Sequence, residues 1–219
     1  MKKKPKEGIF ITIEGPDGSG KDTQIELLMT YLQSRGHSVL VTREPGGTPV
    51  GESIREILLK PVIGHELSDE TELFLFAACR AQHVREKILP AISQGQIVIA
   101  SRYVDASVAY QGYGRGLSLD IIENVNELAT GGLKPDLTII LDIDSEEGLE
   151  RAKSVKKETP SGETDRIESA GVAFHNRVRN GYLKIAEKEP ERCCVIDGNC
   201  PIVEVAMKIT KCVENRFEI

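Results

Sequence analysis

The stretch from Ile9 to Lys21, IFITIEGPDGSGK, constrains this chain more than any other. An apolar run of strand character ends in a glycine-rich segment. The following KDTQIELLMTYLQSRG carries Ile25, Leu28, Met29 and Leu32 at helical spacing and is closed by Gly36. A strand feeding a helix through glycines lets backbone N–H groups approach phosphate oxygens closely, with the helix dipole behind them. Gly15, Pro16, Asp17, Gly18, Ser19, Gly20 and Lys21 satisfy G-x-x-x-x-G-K, and Lys21 is placed to reach the β- and γ-phosphates of a nucleotide. With its last position relaxed, that pattern arises by chance in roughly 5% of chains this long, so the flanking strand and helix carry much of its weight. One position departs from it. The residue after the lysine, where a hydroxyl helps hold Mg²⁺, is Asp22, with Thr23 directly behind.

Strand-like and helix-length segments alternate through the rest of the chain. HSVLVTREPGG, QIVIASRY, PDLTIILDID and CCVIDG read as four further strands. VGESIREILLK and the long SDETELFLFAACRAQHVREKILPAISQG read as helices, the latter capped by Ser68 and Glu72, and helix-length segments follow the last two strands. Alternation of this kind predicts a parallel sheet covered on both faces. No linker or repeat divides the chain, so residues 1–219 are expected to form one domain. Lys153 to Arg166, KSVKKETPSGETDR, is charged and contains Pro-Ser-Gly; it is expected to form a mobile flap, a lid insertion spanning about 151–168.

The net charge of −6 and sequence pI of about 5.4 argue against a nucleic-acid-binding face, which needs a basic stripe. No apolar run approaches the roughly 20 residues of a membrane span. The basic start MKKKPKEG precedes an apolar run of only five residues, Ile9 to Ile13, too short for a secretory signal. A cytoplasmic protein with a short solvated tail is the expectation. The cysteines (Cys79, Cys193, Cys194, Cys200, Cys212) include no C-x-x-C pair and are expected to be buried free thiols. His37, His65, His83 and His175 lack metal-ligand spacing.

The stretches IEGPDGSGK, TREPGGTPVGESIR, ELFLFAACRAQH, SRYVDASVAYQGYGRG, KPDLTIILDI and DRIE run in the order found in bacterial thymidylate kinases, and the chain resembles that family over nearly its whole length. TREPGGT with AYQG is far more specific than the phosphate loop alone. The resemblance implies an α/β fold of the P-loop NTPase type: a three-layer sandwich with a five-stranded parallel sheet and a mobile lid. It implies transfer of the γ-phosphate of ATP to dTMP with Mg²⁺, and a homodimer. Alternatives are a kinase for another deoxynucleotide, such as dUMP, or a nucleotide-binding protein without kinase activity.

The same resemblance implies roles for individual residues. Asp17 would accept a hydrogen bond from the 3′-hydroxyl of dTMP, and Arg55 would bind its phosphate through a guanidinium fork. Phe76 would stack on thymine; Phe74 competes by pattern, and the family's spacing to the next arginine favours Phe76. Arg80 would bond the thymine carbonyl edge, Arg102 would bridge donor and acceptor phosphates, and Ser107, Tyr110 and Gln111 would line base and sugar, with Tyr110 as the wall against a 2′-hydroxyl. One subgroup of the family carries an arginine in the loop right after the carboxylate. Gly18 stands there, so the flap is expected to supply the charge, through Arg151, Lys153, Lys156 or Lys157. The family usually has Ser or Thr at position 22 and Asp at 101; this chain has Asp22 and Ser101. Asp22 is the candidate metal ligand.

Overall fold

The computed structural model describes residues 8–60, 66–157 and 166–219, without the side chains of 155–157. The five expected strands are present: β1 (Ile9–Glu14), β2 (Val39–Arg43), β3 (Ile97–Ser101), β4 (Leu137–Asp142) and β5 (Cys193–Asp197). They form one parallel sheet in the order β2-β3-β1-β4-β5. Every residue of central β1 is buried, while the edge strands β2 and β5 are partly exposed. A central parallel strand is covered on both faces, whereas an edge strand is open along one side.

Side-chain alternation along β1 divides the core. Ile9, Ile11 and Ile13 pack with Ile25, Leu28 and Leu32 of α1 (Lys21–Ser34) and with Val205, Ile209 and Val213 of α9 (Ile202–Arg216). Phe10 faces the opposite layer, against Val84, Ile88, Val98 and Tyr103. That layer includes α2 (Pro49–Leu59), α3 (Asp69–His83), α4 (Leu89–Ser93), α5 (Val104–Ser107), α6 (Leu119–Thr130) and α8 (Val172–Lys188). α7 (Ser145–Lys157) follows β4.

The long helix predicted from Ser68 onward is interrupted by a π turn, Val84–Ile88, between α3 and α4. Pro90 lacks an N–H and crowds the carbonyl one turn back, and the Leu89 N–H bonds Val84 O, five residues away. Ser68 caps α3, accepting from the Thr71 N–H at 3.2 Å. Glu72 does not help cap it; its carboxylate turns inward. The expectation of free thiols fails for Cys194 and Cys212, which are joined as a disulfide between β5 and α9. Facing side chains on a strand and its covering helix bring the two sulfurs together, a proximity that linear spacing does not reveal. Cys79, Cys193 and Cys200 are free.

The strand order reverses at β1, with β3 on one side and β4 on the other. Open parallel sheets place ligands outside the carboxyl ends of strands at such a point. The glycine loop, Ser101–Arg102 and α7 all lie there in sequence.

Candidate active site

The loop leaves β1 at Glu14 and enters α1 at Lys21 through Gly20, whose φ of 84° suits glycine. Gly18 has φ 73°, and a Cβ there would run into the backbone of Gly148. A side chain at position 18 would require the backbone at Gly148 to shift. The Lys21 Nζ donates to the carbonyls of Gly15 (3.1 Å) and Pro16 (2.8 Å) and to the Ser19 hydroxyl (3.3 Å). Burial, helped by the charge of Arg102, pushes the Lys21 ammonium down to about 7.

Arg102 follows β3 with φ 68°, the only non-glycine residue with positive φ among those described. A left-handed arginine is costly and is found where the surroundings enforce it. Its Nη1 donates to Gly15 O (3.1 Å) and Tyr182 Oη (3.3 Å), its Nη2 meets Asp17 Oδ1 at 2.5 Å, and its guanidinium lies 4.9 Å from the Tyr110 ring centre. Asp17 Oδ2 accepts from the Tyr110 hydroxyl at 3.0 Å. Burial alone would raise the Asp17 carboxyl, but Arg102, Lys21 and His175 outweigh it and hold the group below its usual range.

A cleft of about 500 Å³ opens beside this cluster. At the phosphate end it is lined by Asp17, Gly18, Gly20, Lys21, Asp22, Thr23, Ser101, Arg102 and Arg151; Arg55, Phe76, Ser107, Tyr110 and Gln111 line the remainder. The fold thus gathers residues separated by up to 134 positions. Gly15, Pro16 and Ser19 lie under the loop as acceptors for Lys21. Asp22 and Thr23 are exposed at the cleft. Arg55 Nη1 is held on Pro45 O at 2.8 Å, and Arg151 Nη1 on Gly198 O at 3.2 Å. Phe74 is 59% exposed on the far side of α3, so of the two phenylalanines Phe76 is the one at the cleft.

Two expected residues are placed elsewhere. Lys153 is exposed and outside the cleft lining. Arg80 is only 1% exposed and sits behind the wall, with its guanidinium on Glu44 Oε2 (2.9 Å), Ser107 Oγ (3.0 Å), Asn126 Oδ1 (2.6 Å) and Tyr103 O (2.9 Å). A guanidinium in an apolar helix must find acceptors, and here protein groups supply them. Of the expected lid, residues 158–165 and the side chains of Lys156 and Lys157 lie outside the described residues.

Sequence reasoning passed over several residues that organise the site. Glu14 is fully buried beneath the loop, accepting from the Tyr182 hydroxyl (2.9 Å) and the Tyr103 N–H (2.6 Å). Burial, with Asp105 nearby, pushes its carboxyl up to about 7. The signal was an acidic residue closing an otherwise apolar strand. Glu44, in the quoted TREPGG, pairs with Arg80 and with His83 at 3.0 Å. Glu72, expected only as a helix cap, receives Gln111, Arg115 and Arg166.

A cleft of this kind, cationic at the glycine loop and flanked by an aromatic ring, hydroxyls and an amide, can hold a triphosphate end to end with a small ring-bearing phosphate ester. Comparisons with known proteins agree. The family model described as thymidylate kinase matches residues 13–209. A thymidylate kinase of Syntrophotalea carbinolica is 49% identical over 96% of this chain and 97% of its own length. One of Deinococcus radiodurans is 46% identical over 96% and 98%. A crystal structure of thymidylate kinase from Ehrlichia chaffeensis superposes with a TM-score of 0.73 at 36% identity, covering 94% of this chain and 98% of that one.

Proposed function

The chain belongs to the thymidylate kinase family, and we infer that it transfers the γ-phosphate of ATP to dTMP, giving ADP and dTDP for DNA-precursor synthesis. The single observation that carries this reading is the cleft, which joins the phosphate loop to Arg55, Phe76, Ser107, Tyr110 and Gln111 in one cavity. The loop N–H groups and Lys21 hold the donor phosphates. Arg55 holds the acceptor phosphate, Phe76 stacks on the base, and Asp17 accepts from the 3′-hydroxyl. Arg102 lies between the two ends, where charge accumulates as the phosphoryl group moves in line. Gly18 has no side chain, and Arg151, which lines the cleft, supplies the further positive charge.

Mg²⁺ fits the donor set. Asp22, Thr23 and Ser101 present a carboxylate and two hydroxyls at the loop, and Mg²⁺ takes few protein ligands, keeping phosphate and water oxygens for the rest. Bound there, it would neutralise charge on the phosphates. We propose a homodimer through α2, α3 and α6, which pack side by side and expose Val50, Ile57, Phe74, Ile121 and Leu128. No described helix is long and apolar enough to cross a membrane, and a cytoplasmic location is proposed with the function.

The test is ADP release from ATP and Mg²⁺ with dTMP, dUMP or no acceptor. Turnover with dTMP well above the others is expected. Binding of both ATP and dTMP without ADP release would overturn the reading. Sedimentation of the purified chain at micromolar concentration checks the dimer.

A further inference from the structure

Ser107 and Gln111 stand four residues apart in one continuous helical stretch, α5 and the π turn Val108–Gly114, so both face the cleft. Each is only 1% exposed, and each is gripped from behind by a buried charged residue. The two charges are opposite in sign.

Behind Gln111 stands Glu72, itself 1% exposed, with Oε1 2.8 Å from Gln111 Nε2. Arg115 Nη2 lies 3.1 Å and Arg166 Nη2 2.5 Å from its other oxygen. Burial alone would raise this carboxyl; the bonds from Arg115 and Gln111 and the charge of Arg166 hold it below its usual range, so it is ionised. An ionised carboxylate only accepts hydrogen bonds. Gln111 must therefore turn its NH₂ to Glu72, which leaves its carbonyl oxygen for the cleft.

Behind Ser107 stands Arg80, whose Nη1 is 3.0 Å from Ser107 Oγ. A guanidinium only donates. The Ser107 oxygen therefore accepts from behind, and its hydroxyl hydrogen is free for the cleft. Glu44, Asn126 and the Tyr103 carbonyl hold Arg80 in place, so the arrangement is set by buried ion pairing on both sides.

We propose that Glu72 and Arg80 are positioning residues that set the polarity of the base-reading wall, presenting an acceptor at Gln111 beside a donor at Ser107. That pattern complements the N3–H and adjacent carbonyl of a pyrimidine imide, as in thymine or uracil. It opposes cytosine, whose N3 accepts and whose exocyclic amine donates. The inference rests on the reading of dTMP as acceptor.

The informative competitor is 5-methyl-dCMP, which keeps the shape and methyl group of dTMP and reverses the two polar positions. The ratio of kcat/KM for dTMP over 5-methyl-dCMP is measured in each variant. In the wild type a ratio of at least about 10³ is expected, since buried hydrogen-bonding groups reject a mismatched partner strongly. Glu72→Gln frees the Gln111 amide to turn over, and the ratio should fall at least about tenfold with the KM for ATP unchanged, the size of one well-made hydrogen bond. The exchange variant Glu72→Gln with Gln111→Glu restores an acceptor at the cleft and should recover the ratio. It also serves if the single variant does not fold. Arg115→Gln removes a cation from Glu72 without touching Gln111; it should lower Tm and keep the ratio. A Glu72→Gln enzyme with an unchanged ratio overturns the proposal, as does an exchange variant that folds and discriminates no better than Gln111→Glu alone. A wild type that turns over neither nucleotide overturns the substrate reading and this inference with it.

Discussion

The two ends of the cleft hold their charges differently. At the base end Arg80 and Glu44 are 1% and 3% exposed and bonded at 2.9 Å, and Glu72 is enclosed by Gln111, Arg115 and Arg166. Removing one member of such a set strands its partner in a medium that cannot solvate it. At the phosphate end each cation has neutral carbonyls among its partners: Lys21 on Gly15 and Pro16, Arg102 on Gly15 as well as Asp17, Arg151 on Gly198 as well as the half-exposed Glu147. Those carbonyls can be released to water or N–H groups when a phosphate takes the cation. Recognition thus rests on groups fixed in advance, and phosphoryl transfer on cations that can change partner. The base end is the more deeply buried, and its charges are bonded chiefly to one another; the phosphate end is more open, and each of its cations has at least one neutral carbonyl among its partners.

The largest test of this contrast is Lys21→Ala. Loss of a cation acting mainly on the transferring phosphates should lower kcat about 10²–10³-fold with little change in Tm. Arg80→Ala should behave in the opposite way, lowering Tm and weakening dTMP while the KM for ATP holds. Steady-state kinetics and thermal unfolding of the two variants decide it. If Arg80→Ala costs kcat as much as Lys21→Ala and spares Tm, the division into two kinds of charge is wrong.

Glu14 sharpens the contrast, because it lies under the phosphate end and its carboxyl is raised to about 7 by burial and by Asp105. Arg102 and the hydroxyl of Tyr182 pull the other way and do not prevail. Between pH 4.5 and 7 the folded protein keeps a proton that the unfolded chain has released. The stability is complete below pH 4.5 and is lost as pH rises toward 7, by on the order of 3 kcal/mol. Lys21 acts in the opposite direction but at higher pH, between its lowered value near 7 and its ordinary value of 10.5. Thermal unfolding of the ligand-free protein at pH 5 and pH 7 should show the loss, and Glu14→Gln should flatten it. An equal pH dependence in the variant would remove Glu14 from the explanation.

The sequence made the phosphate end legible and left the base end's wiring hidden, for one physical reason. The loop is built from local geometry: glycines at positive φ, a strand before, a helix after. The five strands, α1, α2 and the helix from Ser68 followed from the same local patterns; α5, the π turn after it and α6 between β3 and β4 did not. The pairs Arg80–Glu44 and Glu72–Gln111 join residues 36 and 39 positions apart, on elements whose packing no local pattern specifies. Arg80 was legible as an arginine that must find a partner; that its partners are Glu44, Ser107 and Asn126 was not. Glu72 was read as a cap because it begins a helix, and tertiary ion pairing overrode that role. The Cys194–Cys212 pairing was hidden in the same way.

Arg151 comes next in expected size. It sits in α7, with Nη1 on Gly198 O and Nη2 on Glu147, a partner at helical spacing. Glu147 is 46% exposed, so its attachment is weak and the arginine can leave it. Arg151→Ala should lower kcat about 10²-fold with a smaller change in the KM for dTMP, as for a contact made chiefly in the transition state. Near-normal kcat would shift the role to a neighbouring lysine and weaken the claim that phosphate-end cations move onto the substrate.

The smallest effect concerns Asp22 and Ser101. The family resemblance implies a hydroxyl at the first position and a carboxylate at the second; this chain has the two exchanged, and both line the cleft. The number of donors is kept, and so is the total charge beside the phosphates. Mg²⁺ accepts either arrangement through direct or water-mediated contact. A second carboxylate would repel the ATP phosphates, and none would leave the metal to phosphate and water alone. Asp22→Thr and Ser101→Asp should each lower Mg²⁺-dependent turnover about tenfold, and the double variant should recover much of the loss, a coupling of about 1–2 kcal/mol. Titrating Mg²⁺ in all four enzymes separates metal affinity from kcat. Independent, additive losses would mean that the two side chains do not share the metal. An Asp22→Thr enzyme with unchanged Mg²⁺ dependence would make Asp22 a bystander at the mouth of the cleft, and the phosphate end would then depend on its cations alone.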